Sequence, residues 1–135
     1  MGVVVDTKLF IDAENNRLQL GELPSFQEIP VYPAAVTSAE LLASVHLAKD
    51  TDTRVHRLSF MKNILKNVPV LKFDLEVART YSELYADDLR NASRKNMNAH
   101  DLQIAATAIC YDYPVLTNNT KDFSRNPGVR LLPPN

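Results

Sequence analysis

Apolar positions along this 135-residue chain fall into two rhythms, short β-branched runs that stop at polar residues and longer stretches that repeat at helical spacing. "GVVVD" reads as a strand ending at Asp6, and "TKLFIDAENN" sets Leu9, Phe10 and Ala13 on one side of a helix. Pro24, Pro30 and Pro33 interrupt the next segment, which predicts a loop over Leu23 to Tyr32 and a short edge strand around Val31 to Val36. "TSAELLASVHLA" then opens with Thr37 and Glu40 at the spacing of a capping box, with Leu41, Leu42, Val45 and Ala48 as the apolar side of a helix.

The second half continues the alternation. Leu58, Met61, Leu65 and Val68 form one stripe of a helix over Thr53 to Val68, stopped by Pro69, and "PVLKF" reads as a strand. Asp74 can cap a helix running to Leu89, with Ala78, Tyr81, Tyr85 and Leu89 facing one way. "NASRKNMN" is a polar link to a further helix capped by Asn98, whose stripe is Leu102, Ala105, Ala106, Ile109 and Cys110. "PVLTNN" predicts a strand ending at Thr117, and "VRLL" a last strand before the Pro133-Pro134 tail. Strands alternating with helices imply an α/β protein, a three-layer α/β/α sandwich with a mostly parallel central sheet, in one domain spanning 1–135.

Composition changes this picture little. Apolar content of 45% and charged content of 23% are those of a folded globular chain, no run approaches a membrane span, and the N-terminus lacks a secretory pattern. The one cysteine, Cys110, cannot form an internal disulfide and reads as a small core residue, so a cytoplasmic setting is expected. A net charge of -1 hides an uneven distribution: Arg54, Arg57, Lys62, Lys66 and Lys72 lie in an acid-free stretch, and so do Arg94 and Lys95. Such runs usually form solvated faces; beside a metal-binding acidic cluster they would suit a phosphodiester.

The acids carry the candidate chemistry. Ligands of open parallel sheets bind outside the carboxyl ends of the strands, where Asp6, Glu40, Asn119 and Asp122 are expected; Asp101 opens its own helix. Singly these acids read as a turn residue, a capping-box partner, a helix-dipole acid and a loop contact. Gathered at one edge, two carboxylates about 5 Å apart repel by roughly 3 kcal/mol and must protonate or take up a cation. Oxygen ligands without a cysteine or histidine pattern select Mg²⁺ or Mn²⁺.

The blocks "VVVDT…ID", "TSAELLASVH", "VPVLKFD", "AHDLQIAATA" and "VLTNNTKDF", closed by "NPGVRLL", resemble nearly end to end the PIN-domain ribonucleases, and within them the VapC toxins of toxin-antitoxin pairs. The resemblance implies a single PIN domain, metal held by Asp6, Glu40 and Asp101, and support from Thr7, Thr117 and Asn119. It also implies RNA hydrolysis by metal-activated water, a small cognate antitoxin, a homodimer and no membrane association. The Thr37 to Val68 helical pair is the expected partner surface.

Asp122 matches the place of a further acid, although Asn119 stands where several PIN proteins carry theirs, and Lys8 replaces a small polar residue after "DT". His46, His56 and His100 fall outside the family's site, His100 being adjacent to Asp101. Lys8 also keeps open a catalytically impaired RNA- or protein-binding module. A receiver-type phosphoacceptor fits poorly, since "DT" offers one acid after the first strand and Asp50 and Asp52 follow a helix.

Overall fold

A computed structural model describes residues 2–15, 29–91 and 95–132. Most of the predicted loop before Ile29, Arg94 in the polar link and the Pro133-Pro134 tail lie outside the described residues. The elements are β1 (Val3–Val5), α1 (Thr7–Glu14), β2 (Val31–Tyr32), α2 (Ala35–His46), α3 (Thr51–Asn67), α4 (Leu75–Arg90), α5 (Ala99–Tyr111), β3 (Val115–Leu116), a short α6 (Thr120–Phe123) and β4 (Leu131–Leu132).

Four strands form one sheet in the order β2-β1-β3-β4, and every pairing is parallel. A parallel sheet covered on both faces needs apolar residues at every position, and all three valines of β1 are fully buried. Period-two alternation divides them between two cores. Val4 and Val115 face α4 and α5 through Val77, Leu84, Leu102 and Ile104; Val3, Val5 and Leu116 face α1, α2 and α3 through Leu9, Phe10, Leu41 and Met61. The three-layer sandwich results from this division.

Local chemistry sets the boundaries. Asp50, Asp74 and Asn98 cap α3, α4 and α5, their side chains accepting from Thr53 N, Val77 N and His100 N. Gly128, at φ 85, supplies the left-handed turn before β4.

Five expectations change. The strand over Val31 to Val36 is only two residues long, because α2 starts at Ala35; its N-cap, Ala34, makes no side-chain cap bond. Thr37 therefore lies in the first turn and Glu40 in the second, so no capping box forms and both side chains are available elsewhere. "PVLKF" contributes a single parallel bridge between Leu71 and Ala34. On α4 the inward residues are Val77, Leu84 and Asp88, whereas Tyr85 and Leu89 are exposed. That helix has a second apolar stripe, and sequence periodicity cannot tell which one meets the sheet. Cys110 is half-buried, packed against the core's margin.

Candidate active site

Because β1 and β3 run parallel, their carboxyl ends lie side by side, and the residues just beyond them are Asp6 and Thr117. Both are buried. The Thr117 hydroxyl donates to Asp6 Oδ2 at 2.8 Å and accepts from Asn119 N–H at 2.8 Å. Asp6 is also the N-cap of α1, its Oδ1 accepting weakly from Lys8 N–H at 3.4 Å. Burial raises the Asp6 carboxyl above its ordinary value, against the Thr117 and Lys8 hydrogen bonds that lower it, and the Glu40 carboxylate raises it further.

Glu40 reaches the same edge from α2. Thr7 Oγ1 donates to Glu40 Oε1 at 2.8 Å and also lies 2.8 Å from Thr37 Oγ1. A hydroxyl has one proton, so Thr37 must be the donor to Thr7. The result is a directed relay, Thr37 to Thr7 to Glu40, which holds one carboxylate oxygen in place. The other oxygen, Oε2, stands 3.3 Å from His100 Nδ1. Thr37 is completely buried yet lies beneath the site, a role masked in the sequence by its fit to a capping pattern.

Asp101, in the first turn of α5, completes the set. Asp6, Glu40 and Asp101 line one cleft of about 380 Å³ together with Thr7, Lys8 and Asn119. The Asp101 carboxyl is pushed up to about 6, first by burial, then by Asp6, Glu40 and Asp122, with His100 acting in the opposite direction. The negative charges therefore act on one another, as acids gathered at one sheet edge must. His46 is exposed in the last turn of α2, and His56 lies against Glu14 O, so neither enters the cleft.

Asp122 is placed differently from the other acids. It lines an adjoining cleft with Lys95, Lys121 and Arg125, and its Oδ2 accepts from the Asn119 amide at 3.0 Å. Asn119 thus faces the first cleft while its side chain steadies Asp122 behind it. Arg125 extends this network, 4.0 Å from Asp122 and 3.3 Å from the buried Asp88, which accepts Met97 N–H at 2.9 Å. Arg125 also donates to the Lys95 carbonyl. Neither Asp88 nor Arg125 was identifiable from the sequence, where both resemble ordinary surface charges.

A family profile described as PIN domain matches residues 3–129, which include every residue of this site. The chain belongs to the PIN domain family. It is 36% identical over 132 residues to a protein named Ribonuclease VapC from Rickettsia bellii, covering 98% of this chain and 96% of that protein. It is 30% identical to Ribonuclease VapC1 from Rickettsia felis over the same shares of the two chains. Among solved structures, VapBC-5 from Mycobacterium tuberculosis, a member of the VapBC family of toxin-antitoxin systems, matches with a TM-score of 0.72 at 29% identity. That match covers 98% of this chain and 96% of the other. The DNA-bound VapBC of Salmonella typhimurium, at 20% identity, shares the fold with a TM-score of 0.86 over 100% of this chain and 99% of that one.

The donor set of this PIN domain suits a hard divalent cation, being carboxylate and amide oxygen without thiolate. Among the described residues no three His, Cys, Asp or Glu side chains are grouped closely enough to hold a metal ion by themselves. Mg²⁺ does not require such a group, since it keeps several waters and takes only one or two carboxylates directly. Lys8 is exposed and lines the cleft; its charge lowers the Asp6 carboxyl, but as the smallest of the influences on it.

Proposed function

We propose that this PIN domain is a metal-dependent endoribonuclease, the toxin of a VapBC-type pair acting in the cytoplasm, with Asp6, Glu40 and Asp101 holding Mg²⁺ or Mn²⁺. One observation carries the reading: three carboxylates from three separate elements line one cleft, where burial first, and then the charges of Asp6 and Glu40, push the Asp101 carboxyl up to about 6. A bound cation would supply a more acidic water and neutralise charge on the phosphoryl oxygens. The chain's own contribution is orientation. Thr117 fixes Asp6, Thr7 fixes Glu40, and the Asn98 cap fixes the turn that carries Asp101. Asn119 and Asp122 steady the cleft's outer wall.

The partner is a small antitoxin, and the α2–α3 pair is its docking surface in this reading. Leu47 and Val55 are exposed there, and α1, α2 and α3 form an apolar groove with Leu41, Phe60 and Met61. A homodimer of this chain belongs to the same proposal.

The test is Mn²⁺ calorimetry beside RNA cleavage. Wild type should bind Mn²⁺ and cleave single-stranded RNA, whereas Asp6→Asn and Asp101→Asn should lose most of the binding heat and the cleavage while melting no lower than wild type in chelator. Asparagine in place of Asp6 still accepts the Thr117 hydrogen bond, so a large fall in melting temperature would assign these acids to folding alone.

A further inference from the structure

The cleft beyond Asp122 has a composition opposite to that of the acidic one. It measures about 510 Å³, within the range of pockets that take small organic ligands, and is lined by Lys95, Asn96, Asn98, Lys121, Asp122 and Arg125. Arg125 is committed to Asp88 and to the Lys95 carbonyl, so it builds the wall. Lys95 and Lys121 are exposed, one from the link before α5 and one from α6.

The two clefts share a boundary. Asn98 lines the second and caps the turn bearing Asp101 of the first; Asn119 lines the first and holds Asp122 of the second. Asp122 also acts electrostatically on Asp101 across that boundary. A nucleic acid strand with one phosphate at the acidic cleft has neighbouring phosphates that its carboxylates repel. Positive charge a short step away is what such a strand requires.

We propose that this second cleft is a nucleotide-binding subsite for the RNA strand, in which Lys95 and Lys121 contact the backbone phosphate adjoining the one that is cleaved. The inference rests on the ribonuclease reading for its choice of ligand and assigns a role to the Lys95 run noted in the sequence. It assigns none to Lys62 and Lys66, which lie on α3 and line neither cleft.

The probe is a fluorescein-labelled single-stranded oligoribonucleotide, its binding followed by anisotropy in chelator across a salt series. Each phosphate contact to a single strand contributes about 0.7 to the slope of log affinity against log salt. Lys95→Ala/Lys121→Ala frees that one phosphate and should therefore lower the slope by about 0.7 relative to wild type. In cleavage assays the double variant should show a raised KM and a kcat within twofold of wild type. Lys62→Ala/Lys66→Ala serves as the comparison of equal charge change, expected to keep the wild-type slope. If the two double variants behave alike, the subsite is overturned even where wild type cleaves RNA. If wild type cleaves nothing while the Lys95/Lys121 slope still falls, the ribonuclease reading fails and the strand-binding cleft stands.

Discussion

Thr7 donates its hydroxyl proton to Glu40 across a 2.8 Å hydrogen bond that joins the first turn of α1 to the second turn of α2. Thr37 supplies Thr7 in turn. Thr7→Val keeps the volume but leaves Glu40 Oε1 without its donor and the buried Thr37 hydroxyl without its acceptor. Groups that orient metal ligands typically account for about 10- to 100-fold in affinity or activity. Cleavage by Thr7→Val should fall by about that factor and recover in part at high Mn²⁺, while Thr7→Ser should stay near wild type; rates measured against Mn²⁺ concentration give the comparison.

The raised carboxyls predict an unusual pH dependence. Asp101, at about 6 in the folded protein, binds a proton that the unfolded chain has released near pH 4, and the raised Asp6 acts in the same direction. The folded state holds more protons in that window, so this contribution to stability is fully present below the unfolded value and is lost as pH rises through the folded one. Discounted for the solvent that reaches Asp101, the loss is about 1–2 kcal/mol. Melting curves in chelator from pH 4 to 7 should show it as a falling Tm. Asp101→Asn should flatten the slope, and Mg²⁺ should restore wild-type stability at neutral pH.

Asp122 stands behind Asn119, so its removal should weaken the site without abolishing it. Asp122→Asn should cut RNA cleavage by about 10- to 100-fold, with partial rescue by Mn²⁺, whereas Asp6→Asn should be beyond rescue. Should Asn119→Ala match Asp6→Asn while Asp122→Asn is silent, Asn119 rather than Asp122 fills the fourth position.

Asp88 is a buried carboxylate whose charge partner is Arg125. Arg125→Met strands it and frees the Lys95 carbonyl, which should lower stability by about 3 kcal/mol in urea unfolding. Arg125→Met/Asp88→Asn removes the stranded charge and should recover part of that loss.

Much of this protein was legible along the chain. Every described strand begins at a valine or a leucine, and Asp74 and Asn98 cap the helices they were expected to cap, because strand pattern and capping are local and depend on neighbours within four residues. The acids were legible as well, since an acid at the end of a parallel strand or in the first turn of a helix has its edge fixed by topology. Four features were decided only in three dimensions. Thr37 and Glu40 matched a capping box, yet Leu71 N–H bonds Pro33 O and Ala35 N–H bonds Leu71 O, and this pairing lets the helix begin earlier. The inward stripe of α4 was decided by its packing on α5, the hydroxyl relay beneath Glu40 joins residues 30 and 33 positions apart, and the Asp88–Arg125 pair spans 37. Periodicity reports which residues share a face and capping patterns report which bonds are possible, but neither reports what lies opposite. A buried hydroxyl or carboxylate takes the partner that the packed chain presents, and that choice exists only once the layers have closed.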